Sequence, residues 1–291
     1  MNQKSNGFNS LMKSCNVVYP ILIYFLVMSL AMNIIAAITV KMGGDIDKQY
    51  MMLQTIVAII TFPFIYRFYR KDKQYPTVFH MHLEEVLQKK DKKQRIVNGV
   101  LMFLCGATAG IMMNNVMAFT TLEEKSIAYQ EVTASFFAGG ILFEILGSCL
   151  IIPLLEELLY RSVVYGRLSD LLVLKVDAES KEEAARQKKY RWYAILFTSL
   201  IFGVMHMNIV QFIYATILGI MLSWFVEKSG HLYGAVVAHI GANLMSVLRM
   251  ETGLFRWMET GKSIFIIATV IFGIVTIGLV VLIWKNNTKE V

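Results

Sequence analysis

Charge is scarce in this sequence. Asp, Glu, Lys and Arg supply 17% of the residues, where soluble domains usually carry about 25%. Acids are the rarer sign, 21 against 28 bases, for a net charge of +7. In a soluble chain that surplus would raise a nucleic-acid partner. Here the Lys and Arg gather in a few stretches between apolar blocks, which argues for membrane orientation and for no nucleic acid. Cysteine is scarcer still. Cys15, Cys105 and Cys149 lie in or beside apolar stretches, which excludes a disulfide framework or a Cys-rich metal site and leaves them as packing residues. The sequence carries no internal repeat and no polar low-complexity domain.

What it does carry is apolar length. Hydrophobic residues make up 56% of the chain and mean hydropathy is +0.54. They fall in blocks long enough to cross a bilayer, and segments in lipid must be helices that satisfy their own backbone groups. The expectation is an all-α polytopic bundle of about eight spans, near 17–40, 50–66, 96–118, 136–165, 192–208, 210–227, 231–248 and 263–284. The first block, Val17 to Val40, is longer than a signal-peptide core and no small-residue cleavage site follows it, so an uncleaved first span is expected. Three regions are expected: N-terminal spans over 1–134, a core over 135–250 that carries the polar residues, and a last span with a tail over 251–291.

The cations orient the spans. Arg67, Arg70, Lys71, Lys73, Lys89, Lys90, Lys92, Lys93 and Arg95 crowd one connection, and Arg167, Lys175, Lys181, Arg186, Lys188, Lys189 and Arg191 crowd another. Both are expected on the cytoplasmic side. The stretch Leu122 to Thr133 has Glu123, Glu124 and Glu131 with Lys125 alone and fits the outer side, while Lys285 and Lys289 return the tail inside. Both termini are then cytoplasmic. The run near Lys89 faces anionic headgroups or only fixes topology, and the stretch 175–189 is expected to form a surface helix. Gly106 and Gly110 form a small-xxx-small pair suited to close helix contact.

Ionisable residues inside a span cost about 2.5–3.5 kcal/mol each at the helix centre, so they need a partner, a wet cavity or a task. Glu144, Glu156, Glu157, Arg161, His206 and His239, with Asn243, load the region 144–243 far beyond any other. Glu157 and Arg161 are four apart and share a helix face. Glu156 is turned by about 100° from Glu157 and is left available. Pro153, one turn earlier, can bend the helix where the acids begin. Phe202 and His206, and His239 and Asn243, are further i, i+4 pairs, and Gly241 and Ala242 keep the last helix slim enough for a substrate backbone to approach. A carboxylate, two imidazoles and a carboxamide suffice for a water-activating base with groups that polarise a carbonyl. Glu156, His206 and His239 would equally suffice as zinc ligands with an open position for water. His80, His82 and His231 read as loop or loop-junction residues.

The ordered set Glu-Glu-x-x-x-Arg at 156–161, Phe-x-x-x-His at 202–206 and His-x-x-x-Asn at 239–243 resembles the CPBP intramembrane proteases, the CAAX-protease and bacteriocin-processing or Abi family with its Rce1-type prenyl-protein proteases. The resemblance covers roughly Ile145 to Val247. It implies an intramembrane endopeptidase in which Glu156 activates water, His206 holds and polarises it, and His239 and Asn243 stabilise the oxyanion. Glu157 and Arg161 would support the site as a pair, with Phe202 beside them. Family members are often labelled metalloproteases; the mechanism implied here is a glutamate peptidase that needs no cofactor, with zinc as the alternative. The implied substrate is a membrane-associated peptide or protein, prenylated or of bacteriocin or pheromone type, and the implied surroundings are lipids, in a bacterial cell membrane. Two other classes compete: a non-catalytic immunity or scaffold protein of the same fold, and a transporter that uses the acids and histidines as a proton relay. The latter lacks the expected inverted repeat.

Overall fold

The computed structural model describes residues 2–172 and 180–287, with side chains from residue 12. Lys175 and Lys289 lie outside the described residues. Every regular element described is helical. The long helices are α1 (Asn2–Lys41), α2 (Ile46–Gln74), α3 (Val78–Gln88), α4 (Lys92–Ala118), α5 (Ile127–Phe136), α6 (Ile141–Leu171), α7 (Lys181–Val204), α8 (Ile209–Ser229), α9 (Tyr233–Thr252) and α10 (Lys262–Asn286).

Their starts follow local chemistry. Asp45, Thr77, Asp91, Ser126, Ser180 and Asn208 each accept a hydrogen bond from a backbone N–H of the turn they open, which satisfies donors that a helix start leaves free. Gly230 and Gly253 close α8 and α9 at φ +70° and +64°, a left-handed geometry that glycine adopts without a Cβ clash.

The protein is an all-α polytopic membrane bundle. Among the described residues five helices are long and apolar enough to cross a bilayer: α1 from Met12, α2, α4, α8 and α10. A sixth candidate is α5 with α6, two pieces bent by 104° at 137–140. The eight-span expectation therefore meets six. α7 falls short because its first eleven residues, Lys181 to Arg191, are mostly charged or polar. α9 falls short because it spends positions on His239, Asn243, Arg249 and Glu251. Both nonetheless run through the bundle. Large side chains in the outer layer remain open, among them Leu22, Leu26, Leu30, Ile34 and Ile38 along one face of α1. A stripe of that size suits lipid rather than water.

Contacts at the two ends fix the direction of each helix. At one end Arg167 holds Asp72 with two hydrogen bonds of 2.9 Å and reaches the Asn16 carbonyl. There too Glu227 takes Tyr165, His82 and Arg191 at 2.7, 3.2 and 3.4 Å, and Gln94 reaches the Asn286 carbonyl. At the other end Arg249 bonds Asn115 and Glu259. Both basic connections thus meet α1 near Asn16 and the end of α10 at one pole.

Two connections differ from expectation. The stretch 67–95 is not a loop: α2 continues to Gln74 and α3 docks on the bundle, with His80 buried and His82 bonded to Glu227. An apolar face of α3, with Phe79 and Leu83 buried, supplies the reason. The expected surface helix is the start of α7 itself, opened by Ser180.

Gly106 and Gly110 do what their spacing promised. They bring α4 onto α9, where a Cβ on Gly106 would lie 1.9 Å from the Ala238 carbonyl oxygen and one on Gly110 2.9 Å from that of Ala242. Gly241 is used from the other side: its Cβ would meet the Phe103 carbonyl at 2.4 Å. The slim face of α9 therefore receives α4 and not a substrate.

Candidate active site

α6 is irregular at its centre. Glu144–Ile151 and Leu158–Val164 are π-helical, with an α-helical piece Ile152–Glu157 between them. Pro153 sits at the start of that piece and has no N–H to give. Wider turns around it absorb the defect, and such π segments recur at functional sites. In the wider register Ile152 N–H bonds the Gly147 carbonyl, and the Ser148 carbonyl would fall to Pro153, which cannot donate. That oxygen accepts instead from Asn243 Nδ2 of α9 at 2.8 Å.

Glu156 stands at the midpoint of α6, so the carboxylates sit deep in the bundle. Glu156 and Glu157 diverge as their 100° offset predicts. Glu157 is fully buried, with Oε1 2.9 Å from His239 Nδ1 and Oε2 3.2 Å from Arg161 Nε. The Arg161 contact is an ion pair and not a hydrogen bond, and the guanidinium nitrogens have no hydrogen-bond partner among the described residues. The guanidinium lies 4.2 Å above the Phe202 ring, so two partners balance the buried cation.

His239 is held through Nδ1, which turns Nε2 toward Glu156 Oε2 at 4.0 Å. His206 is held similarly: its Nδ1 donates to the Phe202 carbonyl at 2.9 Å, because that oxygen can only accept. Its Nε2 is thereby the unprotonated nitrogen of the neutral ring. Phe202 meets both imidazoles edge-on, with centroids at 4.9 and 6.1 Å.

Glu156 and His206 share a cavity of about 310 Å³, lined also by Tyr160, Phe202, Met205 and, from α1 and α2, by Tyr24, Met28 and Gln54 among others. Polar groups from α1, α2, α6 and the end of α7 are set among apolar ones, Phe25, Met28, Met32 and Met205, as in most ligand pockets. The contribution of α1 was not legible in the sequence; Tyr24 and Ser29, polar atoms within an apolar run, were its only signal.

The structure therefore brings together Glu156, Glu157, Arg161, Phe202, His206 and His239. Asn243 joins them through Ser148 rather than through the cavity lining. Glu144 stays apart, about 18 Å along α6 from Glu156 by helix rise, buried with both carboxyl oxygens lacking hydrogen-bond partners. Among the described residues no three His, Cys, Asp or Glu side chains stand together as a metal ion would need. Glu156, His206 and His239 as placed do not make such a cluster, and no step of the proposed mechanism uses a metal.

Fold and site together define an integral membrane protein with a buried glutamate–histidine cavity. Residues 138–245 match the family model described as Type II CAAX prenyl endopeptidase Rce1-like, which supports the CPBP, or CAAX-protease, family for this chain. The matched segment is just over a third of the chain and contains all three motifs. Comparison with curated proteins gives no match, and neither does comparison with solved structures.

Proposed function

We propose that the protein is an intramembrane endopeptidase of CAAX-protease type that hydrolyses a peptide bond by glutamate-activated water. The observation that carries this is the division of labour between adjacent acids. Glu157 is consumed by His239 and Arg161, whereas Glu156 faces the cavity beside His206.

A water between Glu156 and the free Nε2 of His206 would be oriented by both. Glu156 takes a proton as the water oxygen bonds the scissile carbonyl carbon, and the carbonyl electrons move onto oxygen. A doubly protonated His239 is the proposed donor to that oxyanion through Nε2, since Nδ1 is spent on Glu157, with Asn243 held one turn further on by the Ser148 carbonyl. Collapse expels the amine, which receives the proton from Glu156, and the C–N bond breaks. Apolar side chains of α1, Phe25, Met28 and Met32, suit a membrane-associated peptide, prenylated or otherwise lipophilic. Lipids are its surroundings. No metal takes part in this reading, and a bacterial cell membrane with cytoplasmic termini remains part of the proposal.

The test is hydrolysis of fluorogenic peptides, with and without a prenylated cysteine, by detergent-purified protein. Wild type and Glu156→Gln are compared with and without a zinc chelator. Cleavage lost in the variant and indifferent to chelator supports the reading. Cleavage abolished by chelator moves it to a metal site, and full cleavage by Glu156→Gln rejects it. A cellular phenotype that survives Glu156→Gln would favour the non-catalytic scaffold.

A further inference from the structure

A second cavity, of about 190 Å³, opens at the basic pole between α2, α3, α6 and α8. It is lined by Lys73, His80, Glu84, Arg161, Ser162 and His231, with Leu83 and Val226 among the apolar residues. At ~30 Å³ per water it has room for about six waters, or for one tetrahedral oxyanion with a few.

Its inner wall is built of donors. Arg161 and Ser162 are buried, at 0% and 4% exposure, and the Arg161 guanidinium nitrogens have no hydrogen-bond partner. An unsatisfied buried donor is costly, and a charged one more so. His80 is clamped by Thr77 Oγ1 at 2.7 Å and reaches Ser162 Oγ through Nε2 at 3.1 Å. With Thr77 donating to Nδ1, the ring donates to Ser162, and the Ser162 hydroxyl hydrogen is left for the cavity. Lys73 and His231 stand exposed at the mouth. Lys73 pairs with no carboxylate among the described residues and sits 5.3 Å over the Tyr69 ring. Glu84 is the single acid of the lining, and it too is at the exposed mouth. The field inside is positive. Burial together with Lys73 and Arg167 pushes the His80 imidazole down to about 4, and burial with Lys73 and Arg95 pushes down that of His231.

We propose that this cavity binds a phosphate-type oxyanion, taken from a lipid headgroup or from free phosphate, with Arg161 and Ser162 as its inner donors and Lys73 and His231 as its outer ones. The inner donors suit an anion with several acceptor oxygens, and the mouth lies at the pole where both basic connections meet. Arg161 also faces Glu157, so a bound anion would share that guanidinium with the active site. The proposal does not depend on the peptidase reading.

The test uses the full chain in neutral detergent at constant ionic strength. Inorganic phosphate is followed by its phosphorus resonance linewidth, against chloride as control. Dihexanoylphosphatidic acid in mixed micelles is the second probe, against dihexanoylphosphatidylcholine. Saturable binding is expected, weakened at least tenfold in Lys73→Gln/His231→Gln and further in Lys73→Glu, with thermal unfolding of the variants unchanged. Both positions are exposed, so the variants fold. Binding of both probes, or of phosphatidic acid alone, supports the site and tells free from lipid phosphate. No saturable binding of either probe means that the cavity holds water only and overturns the proposal, as does equal binding by wild type and variants.

Discussion

Asn243 donates its side-chain amide to the Ser148 carbonyl at 2.8 Å, and it can do so because Pro153 has no N–H to offer that oxygen. A proline in one helix thus holds a family-motif residue of another. Pro153→Ala restores the competing donor. The expected outcome is a drop in peptidase activity with stability kept or raised. Asn243→Ala alone leaves the buried carbonyl unpaired and is expected to cost about 1–3 kcal/mol, less in the Pro153→Ala background. A double-mutant cycle by chemical unfolding measures the coupling.

Removal of the Glu156 carboxylate is expected to lower kcat/KM at least ~100-fold, the range of general-base loss, with the melting temperature unchanged because Glu156 makes no hydrogen bond that holds the fold. Unaltered kcat/KM on a verified substrate would contradict the assignment.

Arg161→Met is expected to behave differently. It strands the buried Glu157 carboxylate, and breaking a buried pair costs about 3–5 kcal/mol. Loss of both fold stability and activity is expected, read as a lowered unfolding midpoint. Arg161→Met combined with Glu157→Gln removes both charges and should recover part of the stability but not the activity, since His239 loses its charged partner.

Gly106→Ala is expected to be among the most damaging single-methyl changes in the chain. Its Cβ would fall within 1.9 Å of a backbone oxygen of α9, so α4 and α9 must separate, and His239 moves with Ala238 beside it. Gly278, where a Cβ meets nothing within 4 Å, is the control: Gly278→Ala should be neutral or slightly stabilising, as helix propensity predicts.

His80 sets an acid limit. Its folded-state pKa is depressed to about 4 from 6.5, so the unfolded chain binds the proton first. The stabilisation from a neutral His80 is complete above about pH 6.5 and is lost as pH falls toward 4. Over that window it amounts to about 3 kcal/mol at one pKa unit per 1.36 kcal/mol. His80→Asn should flatten the stability profile between pH 6.5 and 4, measured by chemical unfolding at each pH.

Fold class and candidate residues are legible in the residue pattern. Apolar runs with few charges leave helices in lipid as the available fold, and intramembrane acids and imidazoles need partners, which singles out Glu156, Glu157, Arg161, His206 and His239 as candidates. The Glu157–Arg161 pair and the divergence of Glu156 follow from helical geometry alone, and the Gly106–Gly110 contact from the spacing of small residues. Tertiary structure decided what periodicity cannot carry. The residue range of α6 depends on a bend at 137–140, where Gly139 and Gly140, the latter at φ +86°, interrupt an otherwise apolar run, and its π segments leave a Ser148 carbonyl that α9 must satisfy. The docking of α3, the use of Gly241 against α4 and the wall that α1 gives the cavity are contacts between segments far apart in sequence. Local propensity sets each helix, but which helices meet is decided by the packing of all of them at once.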